Sequence, residues 1–130
     1  MQKRTASCSC GALSAVCSGE PVSVSLCNCL ECQKRTGSMF GIAAFFYKKD
    51  VSIVGTPVRY SRPSDTGFDV RFSFCPACAS TVFWMPSRKP QLIAVAVGAF
   101  SDPEFPAPNK AVFDRRRPAW VEYAIKDRTA

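Results

Sequence analysis

Apolar and polar residues alternate, or clump into short apolar runs, over most of the chain, and they rarely repeat with the period of a helix. Leu13-Ser14-Ala15-Val16-Cys17 and Phe68-Asp69-Val70-Arg71-Phe72-Ser73-Phe74 carry the two-residue repeat of half-buried strands. On these grounds strands are predicted over residues 12–17, 42–47, 51–54, 58–61, 68–74, 81–85 and 92–97. Gly19, Gly41, Gly55 and Pro57 punctuate them. The run at 92–97 is apolar on both faces, which predicts a central strand. Only residues 29–36 read as a helix, with Gly37 as its stop. Residues 101–109 contain Pro103, Pro106 and Pro108 and are expected to form an irregular loop. The rings on the strand faces are read as core rather than as a cofactor surface. The expected fold is therefore mainly β, a single domain over residues 1–130, with no repeat or linker to divide it.

Composition narrows the classes. A chain of 130 residues, 47% of them hydrophobic, can bury a sufficient core and is too apolar for a disordered protein. No apolar run approaches the roughly 20 residues of a membrane helix. The charged start Met1-Gln2-Lys3-Arg4 leads into no apolar segment, so no secretory signal is expected and the setting is read as cytoplasmic. There is no histidine. That excludes Ser-His-Asp and Cys-His catalysis and any metal held by imidazole.

A formal charge of +7 invites a nucleic-acid partner. The positive residues are scattered, however, and the one run, Arg115-Arg116-Arg117, reads as a solvated face. If seven thiolates hold two Zn²⁺ ions the net charge falls to about +4. Nucleic acid is therefore not the expected partner.

The eight cysteines carry the chemistry. They stand at Cys8, Cys10, Cys17, Cys27, Cys29, Cys32, Cys75 and Cys78, seven of them in short-spaced groups. Disulfides do not suit a reducing compartment, and scattered core thiols would not cluster, so the groups read as metal ligands. Cys8 and Cys10, at i and i+2, share one face of an extended segment. The Cys75-Pro76-Ala77-Cys78 turn brings two sulfurs onto one tetrahedral edge. These half-sites together make a closed four-thiolate site, which leaves Cys27, Cys29 and Cys32 as an open three-thiolate site. Spacing alone makes this partition the most economical one without imposing it. Cys17 is the leftover, read as a buried strand thiol with a fourth ligand for the open site as the rival.

Taken together, Cys8-Ser9-Cys10-Gly11-Ala12, Cys27-Asn28-Cys29-x-x-Cys32-x-Lys34-x-x-Gly37 and Phe74-Cys75-Pro76-x-Cys78-Ala79-Ser80 resemble the glutathione-dependent formaldehyde-activating enzyme family, which includes the centromere protein V domain. Asp102-Pro103-x-Phe105-Pro106 and Pro118-x-Trp120-Val121 extend the resemblance towards the C-terminus. The resemblance implies a β-tent fold of stacked antiparallel sheets, related to methionine sulfoxide reductase B. It also implies two Zn²⁺ per chain, a structural one on Cys8, Cys10, Cys75 and Cys78 and a catalytic one on Cys27, Cys29 and Cys32. Where family members often carry histidine the chain has Asn28 and Ala111, and Ala79 stands in place of the usual glycine.

The activity so implied is carbon–sulfur lyase chemistry, the addition of glutathione to formaldehyde. The donor set suits it. Three thiolates leave Zn²⁺ a weak Lewis acid, poor at acidifying water but well matched to a soft thiol. Glutathione or another small thiol is the expected partner, and a homo-oligomer is left open. Lys34 and Arg35 are candidates to attract the glutathione carboxylates, against the plainer reading of exposed helix charges. The alternative function is a non-catalytic zinc-binding interaction module, in which a fourth protein ligand closes the second site.

Overall fold

The computed structural model describes residues 1–64 and 67–130. In chain order its strands are Lys3–Ser7 (β1), Ser14–Ser18 (β2), Ser23–Cys27 (β3), Gly41–Tyr47 (β4), Val51–Val54 (β5), Val58–Pro63 (β6), Asp69–Phe74 (β7), Thr81–Pro86 (β8), Leu92–Ala96 (β9) and Lys110–Val112 (β10). One α-helix, Leu30–Thr36 (α1), follows β3. A small antiparallel sheet has the order β1-β2-β5, and a large one runs β10-β3-β4-β9-β8-β7-β6. The large sheet is antiparallel except at its end, where β10 lies parallel to β3. A mainly β architecture is what the alternating pattern predicts, and the stacking of two sheets is what the family resemblance implies.

The two sheets share one core. Ala6, Ala15 and Cys17 from the small sheet pack with Val24, Ala44, Phe46, Phe83, Ile93 and Val95 from the large one. Because side chains alternate along a strand, each strand of the large sheet offers its other set of residues to the opposite, outer face. On β3, Val24 and Leu26 are buried while Ser23, Ser25 and Cys27 turn the other way. β9 is the middle strand of seven, as its two apolar faces predict, and Leu92, Ile93, Ala94 and Val95 are all buried.

Several elements differ from the sequence reading. β1, β3 and β10 are strands that the pattern did not announce. Each is short, and β10 exists because it pairs with β3 while the chain end lies along it, the Ala111 amide donating to the Asp127 carbonyl and the Thr129 amide to the Ala111 carbonyl. The helix starts one residue later than predicted, because Cys29 is its N-cap. Residues 101–109 are irregular, as the prolines require, yet they are anchored. Phe105 is buried and stacks on Phe100 at 4.5 Å, with the Arg4 guanidinium 5.2 Å from its ring. Ser73, assigned to the polar face of β7, is buried beside a register shift between Ser73 and Phe74. Gly55 is required where it stands, since its φ is +100° and a Cβ there would overlap the Ala12 carbonyl.

Candidate metal centres and the adjoining cavity

Two clusters of thiols stand apart among the described residues: Cys8, Cys10, Cys75 and Cys78 in one, Cys27, Cys29 and Cys32 in the other. Within each, all sulfurs lie within 4.8 Å of one another. All eight cysteines are free.

The four-thiol cluster joins two turns distant in sequence. After β1 the chain reverses through Gly11, at φ +83°, and the Cys8 and Leu13 backbones pair, Cys8 N–H donating to the Leu13 carbonyl at 2.9 Å. The turn between β7 and β8 closes likewise, Cys75 N–H donating to the Ser80 carbonyl at 3.0 Å and Ala79 N–H to the Cys75 carbonyl at 2.8 Å. Each turn aims an amide at a sulfur: Leu13 N–H at Cys8 Sγ (3.2 Å) and Ala77 N–H at Cys75 Sγ (3.4 Å). Cys8 and Cys10 sulfurs are 3.7 Å apart, and Cys10 and Cys75 sulfurs 3.6 Å. A disulfide needs about 2.05 Å. Four sulfurs bonded to one tetrahedral ion at about 2.3 Å would lie about 3.8 Å from each other. The donor set therefore fits a zinc-sized ion.

The thiols divide their protons as crowded acids do. Hydrogen bonding with Ser80, first through its side chain and then through its backbone, pulls Cys78 down to about 5. Cys10 goes the other way: the Ala12 amide lowers it, but the thiols of Cys75, Cys8 and Cys78 together push it up to about 11. A divalent cation would displace all of these protons at once.

Ala79 follows this turn with φ +65°, a left-handed conformation that costs an L-residue about 1 kcal/mol. Ala79→Gly is therefore expected to stabilise the metal-loaded protein by about 1 kcal/mol, less the entropy glycine loses on folding, as read by urea unfolding.

The three-thiol cluster is local. Cys27 ends β3, Cys29 caps α1, and Cys32 lies in the first turn of that helix. The Cys32 amide donates to Cys29 Sγ at 3.3 Å, an N-cap bond made to sulfur. The thiols of Cys27 and Cys32, helped by that amide and by the charge of Arg62, hold Cys29 far below the usual thiol range. Donating to Cys29, and then burial, pushes Cys27 far up.

Between the first two sulfurs sits Asn28, fully buried. Its side-chain NH₂ donates to the Val112 carbonyl (3.1 Å) and to the Tyr123 hydroxyl (3.0 Å), which donates to Asp114 at 2.6 Å. Asp114 also accepts from Arg117 at 3.1 Å. The Tyr123 hydroxyl, then Arg117, hold the Asp114 carboxyl below its ordinary value. Thus the loop between Cys27 and Cys29 is staked to the C-terminal segment. Ala111, also 0% exposed, packs with Leu26 and Ile125.

Cys27 and Cys32 form part of the wall of a cavity of about 510 Å³ on the outer face of the large sheet. Among the described residues, Arg35, Arg62, Arg88, Lys89 and Lys110 line it, against one carboxylate, Asp127. Arg35 is held across the Trp84 ring at 4.3 Å. Lys34 is exposed on α1 and is not part of this lining. Cys17 lies in the core between the sheets, outside both clusters, where burial pushes its thiol up to about 11. Of the arginine run, Arg117 is tied to Asp114 and to the Val121 carbonyl, while Arg115 and Arg116 are exposed.

Sequence reasoning passed over Arg62, Trp84, Phe72 and Tyr123. No local signal marks them. Tyr123 stands 95 residues from the Asn28 it touches, and the rings read simply as core.

The model of the family described as glutathione-dependent formaldehyde-activating enzyme matches residues 3–116, a span that holds all eight cysteines. No curated protein matches the chain. Among solved structures, the crystal structure of a Rhodobacter sphaeroides protein is similar, with a TM-score of 0.60 and 21% identity over 76% of this chain and 91% of that one. At that identity the likeness concerns the fold.

Proposed function

The chain belongs to the glutathione-dependent formaldehyde-activating enzyme family, and from that premise we propose that it is a zinc-dependent carbon–sulfur lyase adding the glutathione thiol to an aldehyde. One observation carries the reading: of the two thiol clusters, only the three-membered one opens on the cation-lined cavity. Cys8, Cys10, Cys75 and Cys78 would hold a structural zinc. Cys27, Cys29 and Cys32 would hold the second. When bound there, the ion would supply an open, soft position that lowers the pKa of a substrate thiol.

The chain's own residues do the rest. Arg62, Arg88, Lys89 and Lys110 surround the space in which a peptide thiol with two carboxylates would sit, so charge pairing orients it. The aldehyde carbon then meets a held sulfur, and proximity supplies most of the acceleration. The new C–S bond takes the sulfur's electron pair, and the carbonyl π pair moves to oxygen. Solvent supplies the proton for the new hydroxyl. Cys17, remote in the core, is not placed to close the second site, which counts against a purely structural pair of zincs. No helix among the described residues is long and apolar enough to cross a membrane. Eight unpaired cysteines favour a reducing, cytoplasmic setting.

Calorimetry of the metal-loaded protein with glutathione, in two buffers of different ionisation enthalpy, tests this. The expected result is binding with release of about one proton as the thiol ionises. Absence of binding at millimolar glutathione would eliminate that thiol.

A further inference from the structure

The cavity beside Cys27 and Cys32 is shaped for more than a peptide thiol and a one-carbon aldehyde. Its floor is a second apolar cluster, formed by Ala43, Val70, Phe72, Trp84 and Ala94 on the outer face of the large sheet and edged by Phe45 and Phe68. The sheet face turned away from the core of such a protein is ordinarily polar. Here the part of it carried by β4, β7, β8 and β9 is apolar, and the cations stand over its rings. Arg35 lies over Trp84 and Phe72 at 4.3 and 5.5 Å, Arg62 over Phe72 at 5.2 Å, Arg88 over Phe68 at 5.8 Å and Lys89 over Phe45 at 5.7 Å. Rings faced by cations keep their apolar character while the rim stays charged.

Arg35 is built into this arrangement. Its Nε is buried with no hydrogen-bond partner among the described residues. Gly41 makes room for it, since a Cβ there would come within 2.6 Å of the guanidinium. Glutathione is polar throughout and formaldehyde has no apolar surface to bury. The cationic rim answers the carboxylates of the thiol, but neither molecule answers the floor.

We propose that the electrophile is an aldehyde bearing an aryl or similarly bulky apolar group, which lies on the Phe72–Trp84 floor while its carbonyl carbon faces the thiol held at Cys27, Cys29 and Cys32. This rests on the thiol-addition reading and names the class of its second substrate. The step is a balanced addition. The C–S bond forms from the sulfur electron pair, the C=O π bond opens, and oxygen takes up a proton equal to the one the thiol released. No oxidant or reductant is consumed.

Stable mimics of the two adducts separate the possibilities. S-benzylglutathione carries the carbon skeleton of the benzaldehyde adduct, and S-methylglutathione that of the formaldehyde adduct. Calorimetry on the metal-loaded protein should give at least tenfold tighter binding of the benzyl compound, about 1.4 kcal/mol. Trp84→Ala should abolish that preference. Because Trp84 is buried, Phe68→Ala at the half-exposed edge of the floor serves as the second variant, and should cut the preference at least threefold. Exchange NMR should show glutathione adding to benzaldehyde with a larger acceleration over the uncatalysed rate than to formaldehyde. Equal binding of the two thioethers, or greater acceleration with formaldehyde, would overturn the proposal while leaving thiol addition standing. If glutathione itself does not bind, the thiol-addition reading falls, and this proposal with it.

Discussion

Cys75→Ser is expected to leave the protein unfolded at temperatures where the wild type is intact. Cys75 is 0% exposed and contributes one of four sulfurs that bind two turns together, one after β1 and one between β7 and β8. These turns belong to different sheets, so a metal there is a cross-link between the two layers of the core. A structural zinc supplies roughly 10–16 kcal/mol of apparent binding free energy. A domain of this size has about 5–15 kcal/mol of net stability. Losing most of the first quantity therefore exhausts the second. The serine hydroxyl adds a smaller cost, since it would be buried among thiols. Circular dichroism on heating and metal analysis of the same sample check the result. A variant that keeps wild-type thermal stability would remove Cys75 from any structural role, and Cys8→Ser should behave as Cys75→Ser does.

The opposite balance is expected at Cys29→Ser. Serine is itself a good N-cap, so the first turn of α1 should keep its capping bond at little cost. The cluster would lose one of only three sulfurs. Metal content should fall from roughly two to roughly one ion per chain, as an open three-ligand site tolerates no loss. Glutathione binding and its proton release should vanish, while the melting temperature drops far less than for Cys75→Ser. Metal analysis and calorimetry on one preparation decide it. Retention of both metals, or unfolding as severe as that of Cys75→Ser, would show that the two clusters do not divide structure and chemistry in this way.

Contacts within a few residues were legible in the sequence, because the chain's own geometry makes them. Cys29 and Cys32 meet because one turn of helix joins them, and Cys75 and Cys78 because a tight turn does. The central position of β9 was legible for a related reason, since a strand buried on both faces must be apolar throughout. β3 was not. Its five residues alternate, but Ser23 and Ser25 face the cavity, and that face exists only in the folded chain. β10, three residues long, has no pattern of its own and exists only through its neighbours.

The order and spacing of the cysteines made a partition into four and three the most economical one, the family resemblance implied it, and the folded chain groups the sulfurs in that way. What surrounds the three-thiol set was not legible. Alternation puts Cys27 opposite Leu26, but it does not say which face of the strand the rest of the protein will cover. That was decided when the small sheet packed on the inner face of the large one. Packing left Cys27 and Cys32 beside Arg62 and Trp84, and brought Tyr123 onto Asn28 from 95 residues away. Local geometry is set by bonds between near neighbours, whereas the outer face and its cavity are set by burial, a property that belongs only to the assembled chain.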